Sequence, residues 1–157
     1  SSAENVLTVL RKLGFSVRDY DIHINFPGGV PMDGPSAGIA IASAVVSAML
    51  DIPADNLTAM TGEVSIQGKV KPVGGIVAKV EAALHAGAAR VIIPRENWQQ
   101  MFSRWEGIEI VPVDTVEEAL RLVLGADAIP SAAWKQAQLR TGQQSVSLFS
   151  ANQALET

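Results

Sequence analysis

Thiol chemistry is closed to this chain. None of its 157 residues is cysteine, which removes thiolate nucleophiles, disulfides and cysteine-ligated metals together. A hydroxyl better placed to act as a nucleophile is that of Ser36, in the run Pro31-Met32-Asp33-Gly34-Pro35-Ser36-Ala37-Gly38. Pro35 suits the first turn of a helix, because its fixed φ is already helical and its missing N–H has no partner to lose there. Ser36 then falls beside free backbone N–H groups at the positive end of the helix dipole. A hydroxyl so placed can attack a carbonyl while nearby amides receive the developing oxyanion. It can equally do no more than cap the helix.

A serine nucleophile needs a base. Two histidines are present, His23 and His85. Gly34-Pro35-Ser36-Ala37-Gly38 matches the G-x-S-x-G elbow of α/β-hydrolases, but that fold needs more strands than this chain offers, and its acid and histidine follow the serine in order. His85 lies near the end of a predicted helix, where a surface cation suits the dipole. The S-x-x-K spacing of β-lactamases is absent, since Ile39 stands at the lysine position. Lys79 is the more interesting candidate. On a predicted helix from Ile76 to Ala86 the apolar stripe is Ile76, Val80 and Ala83, with Leu84 beside it; Lys79 borders that stripe and Glu81 and His85 do not. Lysines are rarely placed on an apolar face unless paired or used. Desolvation and a place in the helix's first turn both disfavour the ammonium form, the direction a general base needs. The alternative is a lysine that snorkels past Val80 to solvent. Thr61, on a predicted strand, either orients that amine through its hydroxyl or is an ordinary β-former.

The elements that must position these groups follow from periodicity. Val6, Leu7, Leu10 and Leu13 recur at helical spacing up to Gly14, and Tyr20 to Phe26 alternates as a strand broken by Pro27-Gly28-Gly29. An apolar helix runs from Ile39 to Leu50, and Asp51 to Asn56 is a loop. Leu57 to Ile66 and Lys69 to Val73 are expected as strands of a hairpin around Gln67-Gly68. Gly74-Gly75 opens the helix Ile76 to Ala86, which Gly87 ends. A short buried strand Arg90 to Ile93, a helix Glu96 to Trp105 and a strand Ile108 to Val113 come next. Trp98, Phe102 and Trp105 share a face of that helix, as core or subunit contact rather than a substrate cradle. Asp114 with Glu117 makes a capping box for a last helix, Val116 to Leu124, ended by Gly125. The expectation is a single α/β (α+β) domain over residues 1–125, with small mixed sheets, a β-hairpin and packed helices. Residues 126–157 lose periodicity and read as a weakly ordered extension or oligomer arm.

Composition narrows the partners. A net charge of -4 and the lack of a Lys/Arg cluster argue against a nucleic-acid surface. The longest apolar run, Ile39 to Leu50, is too short to span a bilayer, so no membrane association and a cytoplasmic setting are expected. The chain opens Ser-Ser-Ala without an initiator Met and reads as a piece of something longer.

Taken together, Pro31 to Gly38, then Met60-Thr61-Gly62-Glu63, then Lys71-Pro72-Val73-Gly74-Gly75-Ile76 leading to Lys79, and Arg90-Val91-Ile92-Ile93-Pro94-Arg95-Glu96-Asn97, resemble the proteolytic domain of Lon peptidases from Glu4 to Gly125. The entry Ile24 to Gly29 is most similar to bacterial Lon-like branches, some of which work without ATP hydrolysis. The resemblance implies a Ser–Lys dyad, with Ser36 as nucleophile and Lys79 as general base. It implies that Thr61 supports the lysine amine, that Asp33 affects how open the site is, and that the backbone amides of Ser36 and Ala37 form the oxyanion hole. It implies endoproteolysis of unfolded or damaged protein through an acyl-enzyme, without metal, in a homo-oligomer, usually a six-copy ring. The sequence departs from the family where Asn25 replaces a second histidine and where the β-segment before the first helix is missing. No G-x-x-x-x-G-K-[ST] occurs, so no cofactor is expected in this chain, and ATP with Mg would enter only through an ATPase module of a parent polypeptide. Two other readings are a non-catalytic ring-forming scaffold, and anion binding by the turns at Gly28-Gly29 and Gly74-Gly75, neither of which has a phosphate-loop pattern.

Overall fold

A computed structural model of the protein describes residues 2–25 and 34–129. Among the described residues four α-helices surround two small sheets: α1 (Ser2–Lys12), α2 (Gly38–Leu50), α3 (Ile76–His85) and α4 (Val116–Leu124). Strands β1 (Thr58–Met60), β4 (Arg90–Pro94) and β5 (Glu109–Val113) form a parallel sheet in the order β1-β4-β5, while β2 (Glu63–Val64) and β3 (Val70–Lys71) pair antiparallel. This is the single α/β domain with small mixed sheets, hairpin and packed helices that the sequence predicts.

After Arg90 the central strand β4 is apolar without alternation, as a parallel strand covered on both faces must be. Its pleat divides the core. Val91 and Ile93 point to α3, meeting Ile76, Val80 and Ala83, with Phe102 and Ile108 closing that side. Ile92 points the other way, into a larger core with Val6 and Leu10 of α1, Ile39 and Val46 of α2, and Leu120 of α4. α2 sits between α1 and α4, which explains why its sequence is apolar nearly all round.

Several elements differ from the sequence expectation. Residues 21–25 form no strand; a strand exists only within a ladder, and among the described residues none pairs with this segment, which runs along α2 instead. Phe26 lies outside the described residues. The expected strand Leu57 to Ile66 is two strands in different sheets, broken at Thr61-Gly62. Gly62 is packed so closely that an added Cβ would stand 2.6 Å from Val70 Cγ1. In place of a helix over Glu96 to Trp105 there are two 3-10 turns, Arg95–Asn97 and Gln100–Arg104, separated by extended backbone at Trp98 and Gln99. The aromatic grouping survives without the helix, since Phe102 meets Trp98 and Trp105 edge to face at centroid separations of 5.7 and 5.9 Å. The cap of α4 is shifted by one residue: Thr115 Oγ1 accepts from the Glu118 N–H at 3.2 Å, while Asp114 is drawn away to Arg95 at 2.7 Å. Past Gly125, Ala126–Ala128 makes a 3-10 turn and Ile129 is buried in the larger core, so the domain packs slightly beyond the predicted limit. The remainder of the expected extension, residues 130–157, lies outside the described residues.

Candidate active site

Ser36 belongs to a 3-10 turn, Gly34–Ala37, that leads directly into α2. The tighter turn replaces the α-helical first turn expected for it, and the residue is half-buried. The end of β1 fixes its backbone. The Gly62 N–H donates to the Ser36 carbonyl at 2.9 Å, and the Thr61 hydroxyl donates to the same oxygen at 3.4 Å. The Ile39 N–H returns a bond to the Gly62 carbonyl at 3.3 Å. Gly38 permits this approach, because a Cβ there would lie 2.8 Å from Val64 N. Thr61 is itself buried, and its N–H donates to the Ile92 carbonyl at 3.0 Å, carrying the ladder of β1 one step past its formal end. The glycine-framed run thus docks the serine turn on the carboxyl edge of the parallel sheet, the edge at which open α/β sheets bind ligands.

Lys79 lies in the first turn of α3, where its N–H donates to the Gly75 carbonyl at 3.1 Å. α3 leads into β4, which runs parallel to β1; a connecting helix of this kind runs back against its strands, so its amino end stands at their carboxyl edge. Lys79 and Ser36 are therefore at the same end of the sheet. The stripe Ile76, Val80 and Ala83 is buried as expected, and Lys79, bordering it, is half-buried. Its Nζ is fully enclosed and has no hydrogen-bond partner among the described residues. This enclosure sets the lysine apart from one that snorkels to water. Thr61, by the alternation that turns Ala59 toward α3, falls on the lysine's side of the sheet.

The remaining candidates divide. Asp33 and the Gly28-Gly29 turn lie outside the described residues. His85 is exposed at the far end of α3 from Lys79, and His23 is exposed on the wall of a groove. That groove, about 430 Å³ in volume, runs between residues 20–25 and the small residues Ala37, Ala40, Ala44 and Ala48 of the serine turn and α2, so its near end adjoins Ser36. Among the described residues no group of three His, Asp or Glu side chains gathers as a metal site requires, and no helix is long and apolar enough to cross a membrane. Sequence reasoning gave no role to Gly62, Gly38 or Asn97. Asn97 bonds both backbone groups of Val73: the Val73 N–H donates to Oδ1 at 2.8 Å and Nδ2 donates to the Val73 carbonyl at 2.9 Å. The only local signal for it is an asparagine in the turn that follows a buried strand.

The chain belongs to the family of the Lon protease (S16) C-terminal proteolytic domain, whose model matches residues 6–126. It is 57% identical over 123 residues to Lon protease 2 of Bacillus subtilis, a match covering 78% of this chain and 22% of that protein. It is 45% identical over 125 residues to the archaeal Lon protease of Thermoplasma acidophilum, covering 76% of this chain and 19% of the relative. The Lon protease of Trichlorobacter lovleyi is 41% identical over 119 residues, with 73% and 15% covered. The chain spans about a fifth of the length of the first two of these relatives.

Proposed function

We propose that this domain is a serine endopeptidase in which Ser36 is the nucleophile and Lys79 the general base. The observation that carries the reading is the enclosed Lys79 Nζ, without a hydrogen-bond partner among the described residues, at the same end of the sheet as the Ser36 turn. In the neutral form this amine accepts the Ser36 hydroxyl proton as Oγ attacks the scissile carbonyl carbon. The tetrahedral oxyanion faces the backbone amides of Ser36 and Ala37, which stabilise its charge. On collapse the C–N bond breaks, the leaving amine takes the proton from Lys79, and Ser36 is left acylated. Water then enters, gives its proton to Lys79 and adds to the ester carbonyl. The C–Oγ bond breaks, the proton returns to Oγ, and the carboxyl product leaves. Thr61 supports the amine, and Asp33 governs how open the entrance is.

The substrates on this reading are unfolded or damaged proteins, whose apolar side chains suit the groove along α2. Full-length assembly is a homo-oligomeric ring, six copies in the family pattern, and any ATP-driven unfolding belongs to a separate module of the parent polypeptide. The test is cleavage of an unstructured fluorogenic protein, without ATP or added metal, by the parent chain, Ser36→Ala and Lys79→Met. The expected result is cleavage by the parent and by neither variant. Cleavage that survives in Ser36→Ala overturns the assignment, and an inert parent returns the scaffold reading.

A further inference from the structure

The base in the proposed dyad stands on a helix whose start is not held by a side-chain cap. The residue before α3 is Gly75, in the left-handed region at φ +65°, and Gly74 precedes it. A Cβ added at either glycine meets nothing within 4 Å, so neighbouring atoms do not confine this link sterically. Two residues further back the situation reverses. Val73 is fixed through both its N–H and its carbonyl by one carboxamide, Asn97, at 2.8 and 2.9 Å. A paired donor and acceptor of this kind reproduces a backbone ladder rung and constrains distance and orientation together.

Asn97 is well founded for this task. It ends the 3-10 turn Arg95–Asn97 that directly follows β4, the central strand. The Trp98 N–H closes that turn on the Arg95 carbonyl at 3.0 Å, and Arg95 is tied to Asp114 at 2.7 Å and to the Pro112 carbonyl at 3.2 Å. The two halves of the site thus hang from adjacent strands. Ser36 is held by the end of β1 through Thr61 and Gly62, and the start of α3 is held by the end of β4 through Asn97 and Val73.

We infer that Asn97 is a positioning residue for the general base: by clamping both backbone groups of Val73 it sets where α3 begins, and with it where the Lys79 amine lies relative to Ser36. It touches neither substrate nor reacting atoms. The inference rests on the Ser36–Lys79 reading. Its consequence is that loss of the carboxamide weakens activation of Ser36 in molecules that remain folded, and that the effect vanishes once Lys79 is gone.

The test is the reaction of the full chain with a fluorophosphonate, in which Ser36 Oγ displaces fluoride from phosphorus and the base takes the hydroxyl proton. Intact-mass measurement gives two quantities, the final stoichiometry, which counts competent molecules, and the rate constant, which reports activation per molecule. In Asn97→Ala the stoichiometry stays that of the parent while the rate constant falls about 10- to 100-fold, the range for displacing a catalytic group by up to an ångström. Asn97→Asp keeps the acceptor for the Val73 N–H but turns a carboxylate toward its carbonyl, and reacts at an intermediate rate. In a Lys79→Met background, followed at higher reagent concentration, Asn97→Ala changes the rate by less than about twofold. A loss of stoichiometry at unchanged rate constant makes Asn97 a folding residue only and overturns the inference. So does equal slowing with and without Lys79, or no slowing at all. A parent chain that does not react at Ser36 removes the dyad reading itself, a result separable from the others because it precedes any change at Asn97.

Discussion

The amide of Gly62 donates to the Ser36 carbonyl at 2.9 Å, and the space around Gly62 is already taken. An alanine Cβ there would lie 2.6 Å from Val70 Cγ1, 3.4 Å from Ile39 Cδ1 and 3.5 Å from Pro94 Cγ. Val70 is part of the hairpin, Ile39 opens α2 just after the serine turn, and Pro94 ends β4, so relief at any of them disturbs a wall of the site. Gly62→Ala is therefore expected to destabilise the domain by about 1–3 kcal/mol, as overpacking does. It should also reduce cleavage more than the loss of folded protein explains. Urea denaturation followed by circular dichroism gives the first quantity, and activity per folded molecule gives the second. Ser36→Ala contrasts with it: the lost hydroxyl should cost no more than about 1 kcal/mol, the scale of a lost cap, and abolish turnover.

At the scale of elements, α4 shows how a local pattern can have two solutions. Asp114 with Glu117 and Thr115 with Glu118 both spell a capping box, and nothing nearby chooses between them. Arg95, nineteen residues away, takes Asp114 at 2.7 Å and leaves Thr115 to accept from the Glu118 N–H. Thr115→Ala should accordingly cost about 1 kcal/mol, whereas Asp114→Ala, which breaks an exposed ion pair, should cost between about 0 and 1; paired thermal and urea melts distinguish them. The same limit explains the other misreadings. Leu57 to Ile66 is continuous in propensity, but the close fit at Gly62 that marks its division is a tertiary fact. The spacing of Trp98, Phe102 and Trp105 is helical, yet Asn97 is committed to Val73 and the chain is extended at Trp98 and Gln99. What was legible had a local cause. The stripe Ile76, Val80 and Ala83 placed Lys79 at the edge of a core because helical period alone decides that; Pro35 likewise marked the entry to α2, although Ser36 lies in a 3-10 turn before the helix and not in its first turn.

At the scale of the molecule, the edge of the sheet opposite the site is held by polar contacts. Arg90 donates from Nε to Thr58 Oγ1 at 3.1 Å and from Nη2 to the Leu122 carbonyl at 2.8 Å, with Asp55 Oδ2 at 3.4 Å, joining β1, β4 and α4. The Leu57 N–H and the Thr58 hydroxyl, with a smaller contribution from the Arg90 guanidinium, hold the Asp55 carboxyl below its ordinary value of 3.8. The sign follows from linkage: a carboxyl depressed in the folded state adds stability above its unfolded value, and that stability is lost as pH falls through the folded one. Asp55→Asn should therefore lower the urea midpoint at neutral pH and flatten its decline below about pH 4, where parent and variant converge. A variant curve that runs parallel to the parent's through that range would remove Asp55 from the acid response.

The claim on which the functional account stands is that one serine of this chain is an activated nucleophile. Mapping the fluorophosphonate adduct by peptide mass spectrometry tests it most directly, because it names the atom that reacts and does not require turnover. The account predicts a single adduct on Ser36 in the folded parent chain, none in Ser36→Ala, and a much slower one in Lys79→Met. An adduct on another serine, or labelling of Ser36 at the same rate with and without Lys79, would contradict it.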